Sequence, residues 1–342
     1  MKRVAINGFG RIGRAFLRLA FGDPEFEIVA INDPFITPKE ARYLLLHDSV
    51  YGAYGKNVVA IDNEEKKEKG LEIDGTRIPL LEEKEPEDLP WGEMNVDLVI
   101  ESTGVFRAYD GRKGASKHLR AGAKRVLLSV PSKGEGAEKI PQIVYGVNHK
   151  TLDPGADVVS AASCTTNSLV PVVYVLEKEI GIENAYLTTV HGYTADQQLV
   201  DKAGSSLTRS RADAINIVPT TTGAALATTK VLPSLDGKMD GMALRVPVAT
   251  GSVSDVTLQM SKTVDRKSIN ALFVKYAAGD LSEVLGVSED PMVSTDVIAD
   301  SHASVVDLSS TAVLGERTLK VVAFYDNEWG YTNQLLRVAR VL

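Results

Sequence analysis

The chain has one cysteine, Cys164, in 342 residues. A single thiol can neither close an internal disulfide nor build a cysteine-cluster metal site. It suits a reducing compartment, and the cytoplasm is the default expectation. Long apolar runs are missing too. Stretches such as Pro171 to Leu176 fall far short of the ~20 residues that a membrane span needs. No apolar leader segment precedes the strand-like start Met1-Lys2-Arg3-Val4-Ala5-Ile6, so a cytoplasmic protein without a membrane partner is expected. Positive charge is not in excess: the net charge of −7 argues against general nucleic-acid binding but says nothing of a local phosphate pocket. No pair among the five histidines has metal-ligand spacing, and no metal is expected. There is no internal repeat and no low-complexity tract. What remains is ordinary globular composition, 44% hydrophobic and 24% charged, on a chain long enough for two domains in series.

The first part alternates short apolar runs with helix-like segments. Val4-Ala5-Ile6, Ile28-Val29-Ala30-Ile31, Val96 to Ile100, Val126-Leu127-Leu128 and Ile143-Val144-Tyr145 read as buried strands. Arg14 to Phe21 and Pro38 to Leu46 read as amphipathic helices. That alternation implies βαβ units and a parallel sheet covered on both faces. The mixed-charge run Glu64 to Gly70 reads as a solvated turn. After Cys164 a helix from about Thr165 to Ile180 is followed by longer alternating segments at Ala185 to Val190, Met242 to Val248, Ser252 to Met260 and Thr318 to Tyr325. These predict a mixed or antiparallel sheet with helices on one face. Asp201 to Arg211 lacks apolar periodicity and reads as a long ordered loop, and Asn333 to Leu342 as a closing helix.

Ile6-Asn7-Gly8-Phe9-Gly10-Arg11-Ile12-Gly13-Arg14 places G-x-G-x-x-G between a strand and a helix. In a dinucleotide site Gly8 permits the tight turn, Gly10 lets the backbone approach a pyrophosphate, and Gly13 lets the helix pack closely. The helix N-terminus then offers free N–H groups to the phosphates. A second strand ends at Asn32-Asp33, about where the ribose-binding acid belongs. A carboxylate at Asp33 repels a 2′-phosphate and favours NAD over NADP. The bland reading of the glycines is a structural turn. Thr103, in Glu101-Ser102-Thr103-Gly104, follows a later strand and either faces the same crevice or simply makes a turn.

Ser163-Cys164-Thr165-Thr166-Asn167 lies where a strand, Val158 to Ala162, gives way to a helix. A thiol at a helix N-terminus gains thiolate character. His191, ending the strand Tyr186 to Val190, is a candidate partner able to shuttle its proton. The plain alternative is a buried cysteine acting as a small hydrophobe. His47, His118, His149 and His302 lack a comparable setting and read as surface or structural. A dinucleotide combined with a nucleophilic cysteine points to aldehyde oxidation. The thiolate adds to the carbonyl, hydride passes to the nicotinamide, and the thioester is cleaved by water or phosphate.

Taken together, Asn7-Gly8-Phe9-Gly10-Arg11-Ile12-Gly13-Arg14, Ser163-Cys164-Thr165-Thr166-Asn167, His191-Gly192-Tyr193-Thr194 and Tyr325-Asp326-Asn327-Glu328 closely resemble the glyceraldehyde-3-phosphate dehydrogenases, in order and over essentially the whole chain. The resemblance implies an α/β protein with a Rossmann dinucleotide-binding domain (residues 1–162, joined by a returning C-terminal helix, 328–342). A catalytic α/β domain with a mixed or antiparallel sheet (163–327) would complete it. It implies a cytoplasmic homotetramer of glycolysis and gluconeogenesis that oxidises glyceraldehyde 3-phosphate with NAD and inorganic phosphate. Cys164 would be the nucleophile, His191 the base, and the Cys164 N–H an oxyanion donor. Arg11 and Ile12 would meet the pyrophosphate, Asp33 the ribose and Lys84 the adenosine end, while Ser129 and Asn327 would serve the nicotinamide. Thr194 and Arg245 would hold the substrate phosphate. Ser163 belongs to the nucleophile motif, and Thr165, Thr222, Gly223 and Arg209 would surround the attacking phosphate, for which guanidinium forks and short hydroxyl donors are suited.

Some positions depart from the pattern. Lys202-Ala203 stands where many NAD-specific members have Leu-Pro, and a lysine there would attract a 2′-phosphate, setting it against Asp33. Ser168 replaces a second cysteine, with little consequence expected. The rivals are an erythrose-4-phosphate dehydrogenase, which lacks the His-x-Tyr-Thr pattern kept at 191–194, a semialdehyde dehydrogenase, and a nucleotide-binding regulator without turnover. A regulator need not keep Cys164, His191, Thr194 and Arg245 together.

Overall fold

The computed structural model describes residues 1–63 and 65–342, leaving out Glu64. The chain divides into two compact units. One comprises Met1–Ile143, Thr151–Ala162 and Leu335–Leu342, the other Val144–Lys150 and Ser163–Gln334. Against the expected division, Val144–Lys150 and residues 328–334 group with the second unit.

The first unit is built on an eight-stranded sheet. Six strands run parallel: β1 (Lys2–Asn7), β2 (Phe26–Asn32), β7 (Thr76–Leu81), β8 (Leu98–Glu101), β9 (Arg125–Leu128) and β10 (Val158–Ser160). Their order is β10-β9-β8-β1-β2-β7, so the chain leaves β1 toward one side for β2 and toward the other for β8. A crevice at the carboxyl ends of β1 and β8 follows from that reversal, and such switch points are where open α/β sheets bind ligands. An antiparallel extension, β6 (Glu68–Ile73) and β5 (Val58–Asn63), continues beyond β7. A two-residue hairpin, β3 (His47–Asp48) with β4 (Gly52–Ala53), stands apart.

Helix α1 (Arg11–Ala20) follows β1 and buries Gly13, Phe16, Leu17 and Ala20. Helix α2 (Pro38–Leu46) begins at a capping box in which Thr37 and Glu40 satisfy each other's backbone N–H. The crossover from β8 to β9 holds only a five-residue helix, α3 (Ser116–Arg120), so helical cover there is thinner than the simple alternation predicts. Three expectations need correction. Ile143-Val144-Tyr145 is no strand: Ile143 and Val144 are buried, but a turn follows, with the Asn148 carboxamide oxygen accepting from Val144 N at 2.8 Å. The charged run is only in part a turn. Glu64 lies outside the described residues, 65–67 form the turn, and Glu68-Lys69-Gly70 open β6. The strand expected from Val96 starts at Leu98.

The second unit carries a mixed sheet in the order β12-β13-β11-β14-β18-β16-β15, with β17 beside β18. Its strands are β11 (Ile182–Gly192), β12 (Val218–Thr221), β13 (Met239–Val246), β14 (Ser252–Met260), β15 (Leu285–Ser288), β16 (Ser304–Asp307), β17 (Ala312–Leu314) and β18 (Thr318–Tyr325). Helices α4 (Cys164–Glu179), α5 (Ala224–Val231) and α6 (Arg266–Ala277) belong to the same unit. The last helix, α7 (Trp329–Val341), begins four residues ahead of the expected closing helix. Period-two burial decides which face is which. Ala185, Leu187, Thr189 and His191 of β11 all point to the buried side, as do Ser252, Ser254, Val256, Leu258 and Met260 of β14. Leu169, Val172, Val173 and Leu176 of α4 join Leu187, Val256 and Leu258 in one core. Each such side chain contributes about 1.5–3 kcal/mol by burial, so the helix that starts at Cys164 is firmly seated. Toward the carboxyl end of β11 the same face turns polar, and the site begins there. No helix among the described residues is long and apolar enough to cross a membrane.

Candidate active site

In the first unit the glycine loop closes on itself. Gly8 has φ of 94°, and a Cβ there would lie 2.8 Å from Thr103 N. A Cβ on Gly13 would lie 2.1 Å from Gly8 O, so only glycine lets α1 start this close to the turn. Gly10 faces open space. It occupies the N-cap of α1 without a side-chain cap bond, which leaves the first-turn N–H groups able to receive an anion. Arg11 and Ile12 occupy that first turn. Arg11 pairs with Asp48 and lies over the Tyr51 ring.

Asp33, just past β2, accepts from Phe9 N at 2.8 Å and from Phe35 N at 3.0 Å, which ties the acid to the glycine loop. Gly8, Gly10, Asp33, Lys84 and Thr103 line one cleft of about 630 Å³. Ser129 follows β9, its N–H donating to Glu101 O, and does not line that cleft. An uncapped helix start, an open Gly10 and a carboxylate at the strand end fit a dinucleotide's pyrophosphate and ribose.

Beneath the cleft lies a buried polar chain that sequence reasoning missed. Asn7, Asn32 and Glu101 are the last residues of β1, β2 and β8. Asn32 Nδ2 donates to Asn7 Oδ1 at 2.7 Å, and Asn7 Nδ2 donates to Glu101 Oε2 at 2.6 Å. Trp91 Nε1 donates to His118 Nδ1 at 2.9 Å. The ring proton of a neutral His118 must therefore sit on Nε2, which donates to Glu101 Oε2 at 3.0 Å. Thr103 donates to Glu101 through its N–H at 2.9 Å and through its hydroxyl. Four donors on one buried carboxylate hold Thr103 and the strand ends in fixed positions. The only local sign was a set of polar residues ending apolar strands.

In the second unit Cys164 opens α4, and Ser163 caps the helix by accepting from Thr166 N at 3.1 Å. Just before it, Ala162 takes the left-handed conformation, φ 59°, the sort of local cost that persists where a chain must turn sharply. The sulfur of Cys164, a residue of intermediate exposure, is 3.4 Å from His191 Nε2 and 4.0 Å from Thr165 Oγ1. The expected lowering of the thiol pKa is outweighed: burial pushes it up, while Arg245, the Thr165 hydroxyl and the N–H groups at the helix start pull it down. Burial first, then the Arg245 charge, push His191 down to about 3. In this arrangement both partners are held neutral.

Strand register explains who meets His191. On parallel strands β11 and β13, His191 pairs with Arg245. Arg245 Nη1 lies 2.5 Å from His191 Nδ1 and donates to Gly192 O at 2.9 Å. Tyr325, buried at the end of β18, sets its ring edge-on to His191 with centroids 5.9 Å apart. Its hydroxyl lies between Thr165 Oγ1 at 3.0 Å and Thr189 Oγ1 at 2.9 Å. Ser252 joins the far side, accepting from Gly192 N at 3.2 Å and donating to Asn327 Oδ1 at 2.8 Å. Gly251 N also donates to that oxygen at 3.1 Å.

The remaining phosphate candidates fall on the loop after β11 and around β12. Asp196, also missed from sequence, accepts from the Thr194 hydroxyl and from Arg209 Nη1, the latter at 2.5 Å. One carboxylate thus positions a residue of each expected anion pocket. Arg209 Nε donates to Thr220 Oγ1 at 2.9 Å. Thr222 accepts from Ala224 N at 3.2 Å, and Gly223 caps α5 without a side-chain bond. Chemically, a thiol within reach of an imidazole, with two arginines and several hydroxyls around them, can carry a covalent acyl intermediate and bind oxyanions.

The comparisons with known proteins agree in one direction. Residues 2–109 match the family model for the glyceraldehyde 3-phosphate dehydrogenase NAD binding domain, and residues 163–327 match that for its C-terminal domain. A glyceraldehyde-3-phosphate dehydrogenase of Haloarcula vallismortis is 45% identical over 342 residues, covering 99% of this chain and 98% of the relative. The chloroplastic glyceraldehyde-3-phosphate dehydrogenase A of Chlamydomonas reinhardtii is 46% identical over 341 residues, covering 99% and 88%. That of Borreliella burgdorferi is 44% identical over 344 residues, covering 99% of each. With its glycine loop, strand-end acid and thiol–imidazole pair, the chain belongs to the glyceraldehyde-3-phosphate dehydrogenase family of NAD-dependent oxidoreductases.

Proposed function

We propose that the protein is a phosphorylating glyceraldehyde-3-phosphate dehydrogenase of glycolysis and gluconeogenesis, making 1,3-bisphosphoglycerate from glyceraldehyde 3-phosphate, NAD and inorganic phosphate. The observation that carries the reading is Cys164 Sγ at 3.4 Å from His191 Nε2, with Arg245 beside the imidazole. His191 takes the thiol proton, and the thiolate adds to the aldehyde to form a hemithioacetal. The Cys164 N–H, at the start of α4, donates to the oxyanion. Bound NAD supplies the hydride acceptor. Thr194 and Arg245 hold the substrate's phosphate. Ser163 anchors the nucleophile's helix, while Thr165, Thr222, Gly223 and Arg209 receive the phosphate that cleaves the thioester.

Residues 1–162 with 328–342 form the dinucleotide-binding domain in this reading, and 163–327 the catalytic one. Gly8, Gly10, Gly13, Arg11 and Ile12 serve the pyrophosphate, Asp33, Thr103 and Lys84 the adenosine half, and Ser129 and Asn327 the nicotinamide. The Asn327 oxygen is engaged by Gly251 and Ser252, and no described residue accepts from its amide nitrogen, which suits a carboxamide ligand. Lys202 is exposed, so some tolerance of NADP is expected despite Asp33.

Following reduced-nicotinamide absorbance with glyceraldehyde 3-phosphate and NAD tests the reading. Sustained turnover only when inorganic phosphate is present is the expected result. Equal turnover without phosphate would replace it with a hydrolytic dehydrogenase.

A cytoplasmic homotetramer is part of the same proposal. The segment after β11 exposes Leu199, Val200, Leu207, Ile215 and Ile217, with Leu207 91% exposed. Apolar side chains grouped this way mark an association surface. Light scattering should give the mass of four chains, and a monomer at assay concentration would remove this part of the proposal.

A further inference from the structure

The cleft assigned to the adenosine half has two walls that are joined through buried side chains. One wall is the segment after β7, with Glu83 and Lys84; the other is the turn after β8, with Ser102 and Thr103. Asn32 clamps the first wall much as a strand partner would. Its Oδ1 accepts from Glu83 N at 2.9 Å, and its Nδ2 donates to Glu83 O at 2.9 Å. The same Nδ2 donates to Asn7 Oδ1, and Asn7 Nδ2 donates to Glu101 Oε2. Glu101 then grips the second wall, its Oε1 accepting from the N–H and the hydroxyl of Thr103. An unbroken run of hydrogen bonds thus crosses from wall to wall under the glycine turn.

The run has one permitted direction. A backbone N–H only donates, so Asn32 must present its oxygen to Glu83 N and its amide hydrogens to Asn7. At the other end Trp91 Nε1 donates to His118 Nδ1, which makes His118 Nε2 a donor to Glu101. All these donors converge on Glu101, and four of them occupy its two oxygens. Thr103 has no room to drift, because a Cβ on Gly8 would lie 2.8 Å from Thr103 N and 2.9 Å from its methyl carbon. Any shift of Thr103 is therefore passed to the turn proposed for the pyrophosphate. Glu101 and His118 are wholly buried, and neither lines the cleft. Nothing in the chemistry proposed for Cys164 uses them.

We propose that Glu101 is a positioning residue for the cofactor: it sets the spacing of the two cleft walls, and affinity for the adenosine half of NAD depends on it. Apolar side chains could fill the same volume. A carboxylate has acceptor sites for four donors, and it thereby holds Asn7, His118 and Thr103 in a single geometry. His118 is its brace, and Asn32 is the far end of the same relay. Such a spacer controls binding and not the chemical step, because hydride transfer takes place at the nicotinamide end. A loosened wall should raise the KM for NAD and leave kcat alone. The inference rests on reading this cleft as the adenosine end of an NAD site.

The test measures ADP-ribose binding by calorimetry on the full-length protein, since that probe carries the adenosine half without nicotinamide. Glu101→Gln keeps the size but turns one accepting oxygen into a donor. Its Kd for ADP-ribose should rise about tenfold, or ~1.4 kcal/mol, and the KM for NAD with it, while kcat stays at the parent value. Asn32→Ala should do the same from the other wall. Acting through one relay, the two losses should not multiply in the double variant. His118→Gln, which can accept from Trp91 and donate to Glu101, should keep the parent affinity, and His118→Leu should lose it. That pair decides the matter if Glu101→Gln fails to fold. Parent-like ADP-ribose affinity in Glu101→Gln, losses that multiply, or equal affinity of the two His118 variants overturns the positioning role. So does a fall in kcat at unchanged KM. A parent protein that binds no ADP-ribose would sink the reading of the cleft itself. Binding by the parent beside an indifferent Glu101→Gln would sink only the positioning role.

Discussion

Cys164→Ala is expected to abolish aldehyde oxidation, by a factor on the order of 10⁴ or more, while dinucleotide affinity stays near that of the parent. No other residue can form the thioester, because the chain has no second cysteine. The substitution spares the fold for reasons visible in the structure. The cap of α4 is Ser163 and not Cys164, and the apolar anchors of that helix begin five residues later, at Leu169. A loss of about 1 kcal/mol would lower the melting temperature by only a few degrees. The proposed dinucleotide residues that form the cleft, Gly8 to Thr103, belong to the other unit. Turnover by this variant at even a hundredth of the parent rate would exclude a covalent intermediate on Cys164. Lost NAD binding would show that the thiol has a structural part that the geometry does not suggest.

Replacing His191 by asparagine should lower kcat about 10²- to 10⁴-fold, the range expected for losing a general base. Two pH dependences should change with it. Burial pushes the Cys164 thiol up, so without a base the alkylation rate should rise only at more alkaline pH than in the parent. Stability should change in the acid range. His191 is held near 3 in the fold, below its ordinary value of about 6.5. Between these values the unfolded chain binds a proton that the folded chain refuses, so parent stability falls as pH drops through that window. His191→Asn should flatten this fall in denaturant titrations. A variant whose acid dependence matches the parent's would mean that His191 is protonated in the folded protein.

Much of the architecture was legible because its signals are local. The G-x-G-x-x-G turn needs only a strand, three glycines and a helix in sequence, and Gly8 and Gly13 turn out to be required by contacts within the turn and with Thr103. Strand Ser252–Met260 and helix Pro38–Leu46 were readable from their apolar periods. Ile143-Val144-Tyr145 misled because an apolar run without period says only that a segment is buried, and here the backbone turns instead. Resemblance pointed to Arg245, but its meeting with His191 depends on the register of β11 with β13, 54 residues apart in the chain. Asp196 carries no local mark either, and Tyr325, though part of a singled-out segment, gives no sign of its contacts with Thr165 and Thr189. A loop aspartate looks the same in sequence whether its carboxylate stays solvated or, as here, reaches an arginine 13 positions away.

The buried chain of Asn7, Asn32, Glu101, His118 and Trp91 has a consequence for how the first unit is assembled. Asn7 and Asn32 are 25 residues apart, but Asn7 and Glu101 are 94 apart, and ordering so long a loop must precede any gain from the contact. Pairing β1 with β2 alone would therefore leave the Asn7 amide without its acceptor, in a place water must leave as the sheet closes. Only the arrival of β8 and α3 completes the set. The nucleotide cleft should accordingly ripen late in folding, and a newly made chain would pass through a stage with most of its sheet in place and no grip on NAD.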